Sequence, residues 1–115
     1  MKQVIGQQGE CRIVKLDAMP EGIETKRPER AVNGYIISHS ESGHHHVLTD
    51  GDVMERTDNV PAGMQVFYAI LDNPAELIQD AANPHGGFKL DPGIYRFDVS
   101  REFDPFAELI RRVAD

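Results

Sequence analysis

The chain has 115 residues, the size of a single domain, and carries a formal net charge of −7. One domain over residues 1–115 is therefore expected, and the negative charge disfavours binding to nucleic-acid phosphates. No apolar run approaches the roughly 20 residues of a membrane-spanning helix. Cys11 is the only cysteine, so no internal disulfide can form. Together with the absence of a signal-peptide pattern, this predicts a cytoplasmic location.

Short apolar runs alternate with turn residues about every ten positions, which is typical of a small antiparallel β-barrel or sandwich. Turns such as Pro61-Ala62-Gly63 and Asp91-Pro92-Gly93 separate the runs, because Gly tolerates positive φ and Pro fixes the turn. We therefore predict a mostly β protein. The predicted strands are Gly9–Ala18, Ala31–Ser40, His44–Leu48, Asp52–Asp58, Met64–Leu71, Leu77–Asp80, Phe88–Leu90 and Gly93–Glu102.

The last residues change from a strand pattern to a helical one. Asp104 suits an N-cap and Pro105 the first helical position. An apolar stripe at helical spacing follows, formed by Phe106, Leu109, Ile110 and Val113. One short C-terminal helix, about residues 105–114, is therefore predicted to pack on the sheet.

Four of the five histidines lie close together in one predicted hairpin. With Ser40–Gly43 as its loop, His39 lies opposite His44 and their Cβ atoms are about 5 Å apart. Strand alternation puts His44 and His46 on one face and His45 on the other. We therefore expect His45 to take no part in a site that His44 and His46 share.

The face shared by His44 and His46 continues through Tyr35, Ile37 and Leu48, which we expect to point into the core. Imidazoles would then converge at the mouth of an apolar interior. Such an arrangement favours a binding site over a solvated turn.

Imidazole is the commonest metal ligand, and a His-x-His pair with further histidine or carboxylate suits first-row divalent ions. The sequence therefore predicts one divalent ion, Zn, Fe, Mn or Ni. The predicted ligands are His39, His44, His46 and His85. Glu41, in the hairpin loop, is predicted to be a further ligand or a general base. A solvated histidine-rich turn and a metal-free hydrogen-bonded cluster are the alternatives.

The segment from His39 to Val47 resembles the HSETGHHHV-like motif of a family of small uncharacterised bacterial and phage-encoded proteins. The similarity extends from Tyr35 to the C-terminus. Further matching segments are Pro74–Leu77, His85, Leu90–Arg96, Arg101–Phe103 and Arg111–Asp115. Gln79 stands where relatives often have His, and Ser100 and Phe103 replace a usual Gln and Tyr. The resemblance supports the histidine site and implies no particular reaction.

More distantly, a small β-barrel with a His-x-His pair is similar to a cupin. Cupins place a Glu a few residues after that pair, whereas Thr49 and Asp50 follow it here. The histidine of the second cupin motif is replaced by residues 94–96, Ile-Tyr-Arg, after Gly93. The similarity is therefore one of architecture and does not assign chemistry.

Three functions are compatible with these residues. The first is a metal-dependent enzyme that acts on a small molecule through an open coordination position. The second is a non-catalytic, metal-stabilised, phage-associated accessory module that binds another protein. The third is a metal-free small-ligand binder.

A homodimer is also predicted, because a small β domain has edge strands that need covering. The segment Met1–Ala18 is predicted to cross to the partner.

Overall fold

The computed structural model of the protein describes residues 3–8, 11–38, 46–79 and 87–100. Within these ranges the chain forms eleven strands and no helix. The strands are Gln3–Gln8 (β1), Cys11–Leu16 (β2), Thr25–Lys26 (β3), Arg30–Ala31 (β4), Gly34–Ser38 (β5), His46–Leu48 (β6), Asp52–Arg56 (β7), Met64–Leu71 (β8), Ala75–Gln79 (β9), Phe88–Leu90 (β10) and Gly93–Ser100 (β11).

The strands form two antiparallel sheets. The first has six strands in the order β1-β2-β11-β8-β7-β3, and the second has five in the order β10-β9-β6-β5-β4. Buried side chains from both sheets belong to one hydrophobic cluster, so the sheets share a core. The mostly β prediction is confirmed, and the described strands do not close into a barrel.

The two longest strands, β8 and β11, lie side by side and supply much of the core. In β11 the alternate residues Tyr95, Phe97 and Val99 are buried, as expected for a strand with one face on the core. Phe97 is paired with Phe67 of β8, and the Tyr95 and Phe97 rings stack with centroids 6.5 Å apart. Full burial of such a side chain stabilises the fold by roughly 1.5–3 kcal/mol.

The chain crosses between the sheets through four short connections. They are residues 27–29, 49–51, 72–74 and 91–92. Glycine with positive φ allows two of the sharp reversals, at Gly51 (φ 113°) and Gly93 (φ 155°). The first connection is fixed to β7 by Arg27, which pairs with Asp52 and donates to the Val53 carbonyl at 2.8 Å.

Two predicted strands, Met64–Leu71 and Phe88–Leu90, have the predicted bounds. The strands β1 and β3 were not predicted, because β1 is rich in Gln and β3 has only two residues.

The predicted helix, about residues 105–114, lies outside the described residues. In the part of the chain that is described, no helix has the length and apolar character needed to cross a membrane.

Gly34 begins β5 and lies against the Leu48 backbone at the end of β6. Its φ is 151°, and a Cβ placed there would overlap the Leu48 carbonyl oxygen and lie 2.8 Å from the Leu48 carbonyl carbon. Thr49 Cα would be 3.0 Å away. These are backbone atoms of a paired strand and cannot move aside without disturbing the sheet. Only glycine therefore fits at this position.

We predict that Gly34→Ala lowers the free energy of unfolding by about 2–4 kcal/mol, because backbone overlap adds to the cost of positive φ. Gly22→Ala is the matched control. Gly22 also has positive φ (73°), but no described atom lies within 4 Å of its added Cβ, so the loss should be about 1 kcal/mol. Urea unfolding of both variants measures the difference, and equal losses would contradict the role given to the Leu48 backbone.

Asp58 joins the turn after β7 to the segment before β3. Its carboxylate accepts hydrogen bonds from the Glu24 backbone N–H at 2.9 Å and from Arg56 Nε at 3.1 Å. The Thr57 N–H in turn donates to the Glu24 carbonyl at 2.8 Å. These hydrogen bonds lower the pKa of Asp58 below its usual value, and the bond from the Glu24 N–H has the larger effect.

A carboxyl whose pKa is lowered by folding stabilises the protein above its unfolded pKa, and that contribution is lost as the pH falls through the folded pKa. We therefore predict that Asp58→Asn lowers the melting temperature at pH 7. The difference from the wild type should shrink below about pH 4, the ordinary range for Asp. Asp72→Asn removes the same charge from an exposed connection and is the control. Thermal melts at a series of pH values make the comparison, and a difference that stays constant with pH would contradict this account.

Candidate functional site

His46 is the first residue of β6 and the histidine that the structure describes. Its side chain is 3% exposed, and among the described residues it is the one buried polar or charged group. The neighbouring strands place Ser38 and Gln79 as its cross-strand partners. A buried imidazole needs partners for its ring nitrogens, because leaving one unsatisfied costs about 1–3 kcal/mol. The described residues contain no buried side-chain nitrogen or oxygen without a hydrogen-bond partner.

The position of His46 relative to the core follows from strand alternation. Leu48, two residues later, is fully buried in the shared hydrophobic cluster, as is its cross-strand partner Leu77. Residues two apart in a strand lie on the same face, so His46 belongs to the inner face of its sheet. The predicted core direction of Ile37 and Leu48 is confirmed, and Tyr35 packs partly buried against the same cluster.

The β5–β6 pairing has the predicted register at one end and a shift at the other. Tyr35 pairs with Leu48 and Ile36 with Val47, but Ser38 rather than Ile37 pairs with His46. A continuous register from a His39–His44 pair would have placed Ile37 opposite His46. The shift is typical of a β-bulge, which inserts one residue and re-aims the side chains beyond it.

The remaining residues of the predicted site lie outside the described residues. They are the ligands His39, His44 and His85, the loop residue Glu41, and His45, for which no ligand role was predicted. Their roles, and the His39–His44 pairing, stay predictions. Within the described ranges, no group of three or more His, Cys, Asp or Glu side chains is arranged to hold a metal ion.

A second feature was not predicted from the sequence. A surface groove of about 650 Å³ lies beside β9 and β10. Its lining combines charged, hydroxyl and apolar side chains. The lining residues are Thr49, Pro74, Ala75, Glu76, Ile78, Lys89, Leu90 and Asp91. They come from separate segments of the chain, and no local motif marks them.

Glu76 is held in the groove by two hydrogen bonds to Thr49. Its backbone N–H donates to Thr49 Oγ1 at 2.9 Å, and its carbonyl accepts from the Thr49 N–H at 3.0 Å. Lys89 is its cross-strand partner. A Cβ on Gly87 would lie 2.5 Å from Glu76 Oε2 and 2.8 Å from Ile78 Cγ2. The backbone at Gly87 therefore runs directly against the charged wall of the groove.

Asp91 connects the groove to the core. Its backbone carbonyl accepts a hydrogen bond from the Tyr95 hydroxyl at 2.7 Å. The pKa of Tyr95 is raised, first by burial of the ring and then by the negative charge of Asp91. The Lys15 ammonium lies 5.8 Å from the Tyr95 ring centroid. The hydrogen bond from the Tyr95 hydroxyl fixes the Asp91 backbone at one end of the groove.

Ion pairs join side chains on the six-stranded sheet. Arg96 binds Asp98 through two bonds, Nε to Oδ1 at 2.9 Å and Nη2 to Oδ2 at 3.1 Å, and Arg12 Nη2 reaches Oδ2 at 3.2 Å. Each carboxylate oxygen of Asp98 therefore accepts at least one hydrogen bond from a guanidinium group.

Comparison with known proteins identifies a family without identifying an activity. Comparison with curated proteins and with solved structures gave no match. A family model described as a domain of unknown function, DUF8820, matches residues 7–100. This range contains ten strands in full, from β2 to β11, and includes His46 and the whole groove lining. The chain therefore belongs to the DUF8820 family.

Proposed function

We propose that this chain is a metal-binding protein in which His44 and His46 hold one divalent ion together with His39, His85 or both. The observation that carries the proposal is the position of His46. Its imidazole is buried on the inner face of β6, next to the histidine-rich connection between β5 and β6. Three further histidines lie within seven residues of His46 in the sequence. Imidazole is the commonest metal ligand, so such a cluster favours a metal site.

His46 is suited to be a fixed ligand. Its backbone is paired on both sides, to Ser38 in β5 and to Gln79 in β9. Side chains on paired strands are held more firmly than those on loops, and rigid support keeps a ligand in the geometry that an ion requires. The apolar neighbour Leu48, on the same face, limits access of water. His46 therefore anchors the proposed site, and His44, with His39, His85 or both, completes it.

The proposed ion is Zn, Fe, Mn or Ni. An ion with three protein ligands keeps a position open for a small molecule and supplies Lewis-acid polarisation of a substrate oxygen. Glu41 is proposed as a further ligand or as the base that takes a proton from the substrate or from water. With an open coordination position, the protein would be a metal-dependent enzyme. If protein ligands filled every coordination position, it would instead be a metal-stabilised, phage-associated accessory module.

The finer architecture belongs to the same proposal. The two antiparallel sheets around one core support a cupin-like arrangement. We propose that the histidines of the site lie at one end of its interior. We propose that residues of about 105–114 form the terminal helix, and that the protein works in the cytoplasm.

A second candidate function is supported by the groove. Its lining includes the apolar residues Pro74 and Ile78 and the charged residues Glu76, Lys89 and Asp91. A concave site that combines apolar and charged groups suits a small polar ligand. A ligand that binds here would shift the melting temperature, and Ile78→Arg, which fills the groove, would remove that shift while leaving metal binding unchanged.

We predict that untagged wild-type protein binds one equivalent of a divalent ion and gains thermal stability from it. An ion that binds only the folded state at 100 times its dissociation constant stabilises by about 2.7 kcal/mol. His46→Gln should remove this metal-dependent gain, because the buried ligand is lost. Elemental analysis and thermal melts with and without the ion measure both effects.

The matched control is His45→Gln, a change of the adjacent histidine that we do not expect to alter binding. Comparing each variant with and without metal separates ligand loss from the cost of changing a buried side chain. Affinity should also fall in acid, since only neutral imidazole binds metal. A wild type without stoichiometric metal, or a His45→Gln variant that loses it while His46→Gln keeps it, would contradict the proposal.

A further inference from the structure

The strand β8 is apolar on both of its faces. Its residues Phe67, Ala69 and Leu71 belong to the core that the two sheets share. Val66 and Tyr68 alternate with them and therefore point to the opposite, outer face of the six-stranded sheet. These two residues are nevertheless only 8% and 3% exposed. A strand with water on one face alternates apolar and polar residues, whereas a continuous apolar run is typical of a strand that is covered on both faces.

The apolar outer face continues on the strands beside β8. Ile70 of β8 pairs with Ile94 of β11, which pairs in turn with Leu16 of β2. All three residues are partly buried. Val14, on the same side of β2, is 1% exposed. We call this surface the outer apolar face; it is formed by Val14, Leu16, Val66, Tyr68, Ile70 and Ile94.

The five-stranded sheet cannot cover the outer apolar face, because it lies on the other side of the six-stranded sheet. Accordingly, no residue of this face belongs to the core cluster that the sheets share. The charged pair Arg96–Asp98 lies among the same residues, and its side chains are only 17% and 12% exposed. Another part of the chain must therefore lie over this face.

The connection from β2 to β3 can supply part of the cover. These strands are second and sixth in the sheet, so residues 17–24 have to pass β11, β8 and β7. A single extended chain is about as wide as one strand, roughly 5 Å, whereas the three strands β2, β11 and β8 together are about 15 Å wide. The outer apolar face therefore has room for a second element.

We infer that residues 105–114, which lie outside the described residues, pack as a helix on the outer apolar face. The inference rests on the proposed terminal helix and adds the surface that this helix covers. Its apolar stripe has the spacing that puts four side chains on one side of a helix. The stripe consists of Phe106, Leu109, Ile110 and Val113. Packing against β8 and β11 would bury it.

The attachment point of this segment limits the surfaces it can reach. The strand β11 is third of six in its sheet and ends at Ser100, so residues 101–104 alone precede the helix. Four residues span at most about 14 Å. A layer packed on the sheet is about 10 Å away, whereas a layer on the far side of the five-stranded sheet would be about 20 Å away. The inner face is filled by the core, which leaves the outer apolar face.

Two other segments outside the described ranges are attached elsewhere. Residues 39–45 connect β5 to β6, and residues 80–86 connect β9 to β10. Both connections join neighbouring strands of the five-stranded sheet. They are therefore attached on the far side of the core from the outer apolar face, whereas residues 101–114 follow directly from its central strand.

The length of the helix also fits this face. A helix of about ten residues is about 15 Å long, and Val66 and Ile70, four positions apart in β8, are separated by about 13 Å. Ser100 pairs with Met64 at one end of the face, and Ile94 pairs with Ile70 at the other. A helix that starts near Ser100 and runs back along β8 therefore spans the apolar rows.

The test is nuclear magnetic resonance of the full chain, which reports the helix and its packing separately. Backbone chemical shifts show whether residues 105–114 are helical. Nuclear Overhauser contacts between methyl groups show what the segment touches. We expect contacts that join Leu109 and Ile110 to the outer apolar face, at the methyl groups of Val66 and Ile70.

The possible results separate the packing from the helix itself. Helical shifts with contacts to Ile36 or Val47, on the outer face of the five-stranded sheet, would overturn the inference and leave the proposed helix in place. Helical shifts without any contact to the outer apolar face would do the same. If the segment gave no helical shifts, both the helix and its packing would be wrong. Spectra recorded in EDTA keep the result independent of the proposed metal site.

A pair of variants gives a second measurement. Leu109→Gln changes a residue of the stripe, and Glu108→Gln changes its neighbour on the opposite side of the helix. Leu109→Gln should lower the melting temperature by about 10 °C and shift the methyl signals of Val66 and Ile70, because a buried apolar contact is lost. Glu108→Gln should change the melting temperature by about 2 °C or less. Equal effects of the two variants would contradict the packing.

Discussion

The chain passes between its two sheets four times through connections of only two or three residues, and this constraint organises the rest of the molecule. Packed sheets lie about 10 Å apart, and a connection of three residues spans at most about 13 Å. Each crossing is therefore close to the shortest possible. The groove follows from this geometry, because three of its lining residues, Thr49, Pro74 and Asp91, belong to three different crossings.

The two candidate sites lie at opposite ends of one short strand. His46 begins β6 on the inner face, and Thr49 follows its last residue and lines the groove. In the groove, Glu76 directly precedes the core residue Leu77, and Lys89 directly precedes the core residue Leu90. Neighbouring residues of a strand point to opposite faces, so Glu76 and Lys89 lie on the outer face of the sheet. A ligand in the groove and an ion at His46 would therefore occupy separate places, and binding at one would not require the other to be filled.

Sequence reasoning predicted the features that depend on local patterns. The strand Met64–Leu71 follows from an apolar run bounded by turn residues, and the core direction of Ile37 and Leu48 follows from strand alternation. The register shift before Ser38 could not be predicted, since bulges leave no regular pattern in the residues. The strand β1 was missed because Gln3–Gln8 has little apolar content. Its antiparallel pairing with β2 holds it in the sheet. The groove was missed because its residues meet only through long-range pairing.

The place of β11 in the six-stranded sheet has a consequence for synthesis on the ribosome. This strand lies between β2 and β8, although it follows all the other described strands along the chain. Until it emerges, the hairpin of β1 and β2 has no link through the sheet to β7 and β8, and apolar faces from both parts remain open to water. Contacts of such high sequence separation form slowly and leave nascent chains prone to aggregation. The six-stranded sheet is thus completed at its centre, and a chain without β11 would leave the inner edges of β2 and β8 unpaired with each other.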